Sequence, residues 1–580
     1  MENKDIARAL WETADLMEIA AQDGFRIRSY RNAAQAVETW TESVAAMVAQ
    51  PDWKQAEKQL TTIPGIGKGM AGHIRDLVTT GKIAVREEIL SKFPHTILDL
   101  LQIRDLGAKR IALIWDVYKA GSVEEVEKLA QEGKLAELPR MGSKLEQNIL
   151  KSIERWKTGA GRFLISVADH AAQQLRDYLA QGDAGITVTQ AGSLRRGKET
   201  IGDLDILVTG GDANKLMDHL VAYPGMTSLI VRGENKVSLR IANNMQVDVR
   251  FLDADSYGSA LQYFTGSKEH NVTLRQRALR MGYTLSEYGL FTVKDDQKVA
   301  GRTEEEIYKK LGLDYIPPEI RENLGEIDMA EELRLPALVQ VEDIKGDLHT
   351  HTTASDGRAS ILEMAQAAQE RGLKYIAITD HSKGLAMVGG LDEKRVLEQV
   401  KEIRAAEEKM DKFRIFAGIE VDILKDGAMD LDDEALAALD VVVASVHSHM
   451  NLEAAEQTDR LLRACENRYV SILGHPTGRQ LLRRDAYPFD FERVLDTVVK
   501  AGIHMEINAS PERLDLSDRL TRMTKERGVK LVISTDAHHP THFDNLRYGV
   551  LVARRAWLEK GDVLNTLPAT EFIRRLRRSG

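Results

Sequence analysis

The spacing of apolar residues changes character along the chain. Up to about residue 158 it follows the period of amphipathic helices, interrupted by glycine turns at Gly65, Gly107 and Gly142. Residues 188–210 read as a strand, a glycine turn, a short helix or loop and a second strand. Residues 236–253 read as a hairpin turning at Asn243-Asn244. After residue 340 short apolar strands, within 374–380, 413–423, 440–449, 469–476, 502–510 and 529–539, alternate with helical stretches. Such alternation predicts a parallel barrel, in which functional groups gather at the carboxyl ends of the strands. Between these regions Pro317, Pro318 and Pro336 surround an acidic stretch, so a linker is expected over 319–340.

With 580 residues the chain has room for about four domains. Its single cysteine, Cys465, excludes a disulfide framework and any thiolate-rich zinc or iron–sulfur site, so a metal must be held by nitrogen and oxygen. No apolar run approaches the ~18 residues of a membrane span, and the first residues include acids and no cleavable apolar core. A cytoplasmic protein without membrane association is expected. The formal charge of −10 argues against coating nucleic acid through bulk charge, while leaving room for a local basic channel.

Three segments, 63–67, 103–107 and 138–142, repeat an apolar-x-x-apolar-glycine pattern ahead of a helical stretch. A glycine turn that opens a helix leaves N–H groups free at the positive end of the dipole. These suit phosphate oxygens and grip a nucleic-acid backbone without reading its sequence. A plain helical hairpin accounts for one copy equally well and for three copies poorly. Asp105 and Arg140 occupy the first glycine position of the later copies, so backbone capture is expected at Gly65 and Gly67, with Lys68 beside them. Upstream, Arg26, Tyr30 and Arg31 fall on a predicted helix, where charge and an aromatic ring could meet a phosphate and a base or sugar. The first copy strongly resembles the helix-hairpin-helix motif of DNA repair proteins, and the others resemble it loosely.

Asp203 and Asp205 alternate along one strand and so share a face, and the second strand of the hairpin carries Asp248 among apolar residues. Three aspartates on neighbouring strands can hold two magnesium ions for phosphoryl transfer. Gly192, Ser193 and Arg196 add a turn with exposed N–H groups and a guanidinium fork, a cradle for a triphosphate. An isolated Asp-x-Asp is as often a surface or capping pair. The turn over 192–197 followed by Gly202, Asp203 and Asp205 on an apolar strand is far more specific.

These motifs resemble the family X DNA polymerases, as do Tyr263 to Ser267 and Asn271 to Arg275, and the match runs over about residues 1–318. The resemblance implies that Asp203 and Asp205 bind both metals, and that Asp248 binds the catalytic one and helps activate the primer 3′-hydroxyl. It implies that Ser193 and Arg196 hold the triphosphate, and that Tyr263 and Phe264, followed by Gly266, lie against the sugar. Asn271 would reach the base edge, Arg275 the template strand, and Tyr288 would support the thumb. Lyase-active relatives carry a Schiff-base lysine after the first hairpin turn. His73 stands there in this chain and cannot form that imine, so strong lyase activity is not expected even with Lys68 or Lys82 nearby.

Of 15 histidines, ten follow residue 340. Nine metal-type ligands fall at successive strand ends: His349, His351, Asp356, His381, Glu420, His447, His475, Asp536 and His538. A single histidine there is more safely read as a satisfied or exposed side chain, and His449, His504, His539 and His542 are set aside on that ground. Nine together are hard to place without cations, and imidazole with carboxylate suits manganese, zinc or iron. The set closely resembles the PHP (polymerase and histidinol phosphatase) family of metal-dependent phosphoesterases over about residues 341–570. That resemblance implies up to three manganese or zinc ions. Glu420 would bridge two of them, His349, His351 and Asp536 would bind one, and His447 and His475 the other. Asp356, His381 and His538 would hold the third.

The fold class expected is therefore multidomain α and α/β. It comprises N-terminal helix-hairpin-helix domains, a nucleotidyltransferase palm with an α+β thumb, and a C-terminal distorted (β/α)7 PHP barrel. The divisions are a DNA-binding domain at 1–95, a fingers-like helical domain at 96–158, palm at 159–255, thumb at 256–318, linker at 319–340 and PHP domain at 341–575. Resemblance to family X polymerases joined to a PHP domain implies gap-filling synthesis in base excision repair, with a 3′–5′ exonuclease and abasic-site cleavage in the barrel. Gapped or primer–template DNA and dNTPs are the expected partners of a monomeric enzyme. The alternatives are a nucleotidyltransferase acting on a non-DNA acceptor, fused to a small-molecule phosphoesterase, or a non-catalytic repair scaffold. The hairpin repeats and the intact ligand sets speak against both.

Overall fold

The computed structural model describes residues 3–40, 43–50, 52–63, 65–94, 96–101, 103, 106–159, 161–241 and 244–576, which form two compact units, Met1–Ala160 and Gly161–Gly580. Asp105 and Asn243, named in the turn and hairpin motifs, lie outside the described residues.

The first unit is helical. Helix Gly24–Thr39 is capped by Asp23, whose carboxylate accepts from the N–H groups of Phe25 and Arg26. The turn repeat is real at the level of hydrogen bonds. Ile66, Leu106 and Met141 each donate an N–H to the residue three earlier, Ile63, Ile103 and Leu138, at 3.0 to 3.1 Å. Helices Lys68–Thr80, Ala108–Tyr118 and Ser143–Gly159 follow the three turns. Gly65 sits at φ +90°, and Arg140, its counterpart in the third copy, keeps a left-handed conformation at +64° despite its side chain. One apolar cluster, from Ile6 to Ile153, runs through both expected helical divisions, so 1–95 and 96–158 share a core.

The second unit begins with a five-stranded sheet in the order Thr187–Gln190, Asp203–Thr209, Gln246–Leu252, Lys236–Ile241, Met226–Arg232. The second and third strands are parallel and the other pairs antiparallel. In Gln246–Leu252 the residues Val247, Val249 and Phe251 are buried, so the two-residue period sends Asp248 to the opposite face. Helices Tyr257–Thr265 and Lys268–Arg280, a three-stranded sheet and helix Glu304–Lys310 follow.

The expected linker at 319–340 packs as a structured part of this region. Ile320, Ile327, Ala330 and Leu338 join a core with Leu274, Ile307 and Tyr308. Its acids have buried partners nearby: Glu326 accepts the N–H groups of Asn323 and Leu324 and lies 2.7 Å from Nδ1 of His270. Fully buried Arg321 donates to Glu304 at 2.6 Å.

The rest of the unit is a barrel of seven parallel strands in sequential order, from Gly346–Thr350 to Leu531–Ser534. Ala537, just past the last strand, donates to His349 O and accepts from His351 N–H, which ties the seventh strand back to the first. The helix Ala569–Leu576 stacks Phe572 on Tyr375 and packs with Phe416, which shares a face of its strand with Glu420. That apolar layer lies toward the amino ends of the strands, away from the ligands. The elements before residue 340 meet the barrel through Arg479–Glu199, Arg547–Asp169 and Arg554–Glu319 at 2.5 to 2.8 Å. Among the described residues no helix is long and apolar enough to cross a membrane.

Candidate functional site

On the five-stranded sheet Asp205 and Asp248 face each other as register partners on the parallel strands, with Asp203 two residues away on the same face as Asp205. Burial, then the charges of Asp203 and Asp248, push the Asp205 carboxyl up to about 7. Burial acts upward on Asp248 too, but hydrogen bonds from Ser238 and Lys236 outweigh it and hold that carboxyl below the usual range. Lys236 Nζ lies 3.0 Å from Asp248 Oδ2, while the buried Oδ1 has no hydrogen-bond partner. The Asp205 carboxyl, which resists ionisation without counter-charge, beside an Asp248 with one orphaned oxygen, fits divalent cations.

The turn after strand Thr187–Gln190 is stitched to this cluster, since Ala191 N–H donates to Asp205 O at 2.8 Å. Gly192 (φ +59°) approaches so closely that a Cβ there would lie 2.5 Å from Asp205 Oδ2. Ser193 sits in the short helix Gly192–Arg195. Arg196 donates from Nε to Glu322 Oε1 at 3.1 Å and from a terminal nitrogen to Thr265 O.

Other sequence-predicted residues are placed differently. Asn271 is buried, its amide donating to Tyr263 O and accepting from Gln262, both at 2.7 Å. In this structure it therefore braces Tyr263 and does not extend as a free base reader. Phe264 lies edge-on to Tyr263 and under Arg250 at 4.2 Å. Arg275 donates from Nε to Asn271 O, and Tyr288 is exposed.

In the barrel all nine ligand-type residues converge. Glu420 Oε1 faces His475 Nε2 (2.8 Å) and His447 Nε2 (3.2 Å). Its Oε2 faces His381 Nδ1 (2.8 Å), His349 Nε2 (3.3 Å) and His351 Nε2 (3.7 Å). Asp536 Oδ1 lies 3.2 Å from His351 and 3.7 Å from His349, and Asp356 Oδ1 lies 3.3 Å from His538 and 3.5 Å from His381. Ligand atoms gather into four overlapping groups, each compact enough for one ion: His349, His351 and Asp536; His351, Asp356, His381 and His538; His349, Glu420 and His475; and His381, Glu420 and His447.

Burial disfavours charge on every one of these groups, and the carboxylates decide the outcome locally. Glu506, Glu420 and Asp536 hold His349 protonated well above the ordinary imidazole value. Glu420 and Asp356 raise His381 to about 10. Burial with like charges nearby lowers His351 to about 3 and His475 to about 4. Glu420 and Asp536 stay ionised well below the usual range. Protons on imidazole thus supply positive charge that the carboxylates demand, the demand a metal meets. His349 Nε2, both ring nitrogens of His351, His381 Nδ1 and Glu420 Oε2 are buried without hydrogen-bond partners, which fits cations among them.

Several further residues of this centre belong to no motif of the sequence. Glu506 lies 2.8 Å from His349 Nδ1 and accepts His475 N–H. Asp422 accepts His447 N–H and lies 3.3 Å from its Nδ1. Asn508 donates to Asp536, and Arg513 lies 3.6 Å from the same carboxylate. The available signal was the strand period: Asp422 follows Glu420 by two, and His504, Glu506 and Asn508 alternate with apolar Met505 and Ile507. His504 is buried on that strand but belongs to none of the four ligand groups.

In the helical unit Gly67 caps helix Lys68–Thr80 without a side-chain acceptor. Tyr30, expected at the surface, is 2% exposed and stacks on His73, because its position on the helix faces the core. Arg31 is held by Asp15 at 3.0 Å and Glu18 at 2.6 Å, so acids of its own unit already share its charge.

Four family profiles match the chain: a helix-hairpin-helix domain over residues 1–83, a DNA polymerase beta palm over 166–246, a DNA polymerase beta thumb over 260–322 and a PHP domain over 347–510. The chain is 36% identical over 567 residues to the DNA polymerase/3′–5′ exonuclease PolX of Bacillus subtilis, covering 97% of each. It is 35% identical over 204 residues to a probable phosphatase of Caldanaerobacter subterraneus, spanning 33% of this chain and 75% of that one. It is 28% identical to a probable phosphatase of Aliivibrio fischeri, spanning 38% and 88%.

Proposed function

The chain belongs to the PolX family of DNA polymerase/3′–5′ exonucleases, and from that premise we propose that it fills short gaps during base excision repair and trims 3′ ends with its barrel. The observation that carries the polymerase half is the pairing of Asp205 with Asp248 beside a turn that leaves no room for a side chain at Gly192. Asp203, Asp205 and Asp248 would hold two magnesium ions, and the nine barrel residues up to three manganese or zinc ions. Bound there, the ions would supply Lewis acidity for attack on a phosphodiester or triphosphate and for the charge on the leaving oxygen.

The chain's own residues do the remaining work. Ser193 and the N–H groups of the turn bind the triphosphate, and Arg196 orients it. Gly266 lets the segment carrying Tyr263 and Phe264 approach the sugar, with Asn271 bracing Tyr263 through its carbonyl. Glu506 and Asp422 fix the orientation of His349 and His447. Gly65, Gly67 and Lys68, with Arg26, grip the DNA backbone, and Arg275 meets the template strand. Tyr30 supports His73 from within the core and makes no nucleotide contact. The substrates are gapped or primer–template DNA and dNTPs, the working species is a monomer, and its place is the cytoplasm.

A labelled primer on gapped DNA with dNTPs in magnesium tests the polymerase reading. Extension is expected to fall below roughly 1% in Asp248→Ala, as for loss of a metal-bearing carboxylate. Extension at the wild-type rate by that variant overturns it.

A further inference from the structure

The turn that carries Arg196 is held from the side by the barrel. Arg555, at the end of helix Leu546–Arg555, is 3% exposed in its side chain and spends every guanidinium nitrogen on one junction. Nε and one terminal nitrogen grip Asp518 Oδ2 at 2.9 and 2.7 Å. The other terminal nitrogen donates to the main-chain carbonyl of Arg196 at 2.8 Å and to Glu322 Oε1 at 3.0 Å. That same Glu322 oxygen accepts from Arg196 Nε at 3.1 Å and lies 3.1 Å from Lys198 Nζ. Next to Arg196, Gly197 packs on the same barrel helix, where a Cβ would meet Leu551 at 3.1 Å. One carboxylate oxygen therefore collects three cations, two from the phosphate turn and one from the barrel.

We infer that Arg555 is a positioning residue of the polymerase site: through Glu322 and the Arg196 carbonyl, the exonuclease barrel fixes the guanidinium that receives the incoming triphosphate. The inference rests on reading Ser193 and Arg196 as the triphosphate turn. A flexible arginine loses side-chain entropy each time it binds a phosphate, and one already clamped at Nε, with its main chain anchored, has lost much of it beforehand. Without Arg555, Glu322 keeps only the turn's own cations, the anchor to Asp518 disappears, and the turn's remaining ties to the barrel are the Arg479–Glu199 pair just beyond it and the packing of Gly197 on Leu551. The fused phosphoesterase domain is then structurally part of nucleotide binding, in addition to hydrolysing DNA at a separate centre.

The test uses the full-length protein with four variants: Arg555→Met, which keeps side-chain bulk, Arg555→Lys, Glu322→Gln and the double variant Arg555→Met/Glu322→Gln. KM for dNTP and kcat are measured on gapped DNA, with Asp248→Ala confirming that extension comes from the palm and 3′–5′ shortening of the same primer reporting an intact barrel. Arg555→Met and Glu322→Gln are each expected to raise KM for dNTP about tenfold, with kcat within about threefold, in the range of one lost charge-assisted hydrogen bond. Because they act through one junction, the double variant is expected to match the worse single and not their product. Arg555→Lys recovers part of the loss, and exonuclease activity is unchanged throughout. A dNTP KM unmoved in both singles, or multiplicative losses in the double, overturns the inference. Should Arg555→Met lose both activities, Glu322→Gln, which substitutes no barrel residue, still decides: raised KM with intact exonuclease supports the junction, and unchanged KM overturns it. Extension surviving in Asp248→Ala instead refutes the reading on which the inference rests, a different failure.

Discussion

At the scale of single residues, the chemistry depends on a few contacts that tolerate no change of volume or charge. Gly192 lies where any Cβ would strike Asp205 Oδ2, so Gly192→Ala is expected to cut primer extension at least roughly tenfold while exonuclease activity stays. Glu506 orients His349, and Glu506→Gln is expected to weaken metal binding in the barrel about 10- to 100-fold, read as the concentration of manganese needed for half-maximal shortening. The ligands themselves were legible in the sequence because so many carboxylates and imidazoles at the ends of apolar strands could not all be buried together without cations between them. Glu506 and Asp422 were not, since a lone acid on a strand is ambiguous until its neighbour across the barrel is known. Tyr30 is buried where the sequence expects it at the surface for a related reason: helical period tells which residues share a face, and only the packed structure tells which face is buried.

At the scale of elements, the thumb is fastened by a buried ion cluster that the chain's charge pattern concealed. Glu304 receives two hydrogen bonds from Arg195, at 2.9 and 2.6 Å, and one from Arg321 at 2.6 Å. Burial opposes its charge, but these cations depress its carboxyl from 4.5 to about 2. A depressed carboxyl stabilises the fold above its unfolded value, so this contribution, on the order of 3 kcal/mol, is present above pH 4.5 and is lost as pH falls through about 2. Thermal unfolding against pH is expected to show a steeper acid decline in the wild type than in Glu304→Gln. That variant should also be less stable at pH 7, because Arg321 is left buried with a weaker partner. Prolines and acids read as an interdomain linker over 319–340. In the structure Pro318 opens the short 3-10 helix Pro318–Ile320, and the acids answer buried His270 and the barrel's arginines, partners too distant in sequence to be inferred from local composition.

At the scale of the whole molecule, the chain joins two centres that act on the same bond in opposite directions. In the unit 161–580 they sit on one continuous body, linked by Arg479–Glu199, Arg554–Glu319 and the Arg555 junction. Cations that bind only the folded barrel stabilise it by mass action, about 2.7 kcal/mol at a hundred times their dissociation constant. Chelation is therefore expected to lower the melting temperature by several degrees, and manganese or zinc to restore it. The central claim of two separate centres is tested most directly by following one labelled primer on gapped DNA, with dNTPs and without, in Asp248→Ala and His349→Ala. The expected result is a double dissociation, in which Asp248→Ala shortens the primer but cannot extend it and His349→Ala extends it but cannot shorten it. Extension persisting in Asp248→Ala, shortening persisting in His349→Ala, or loss of both activities in either folded variant would contradict the account.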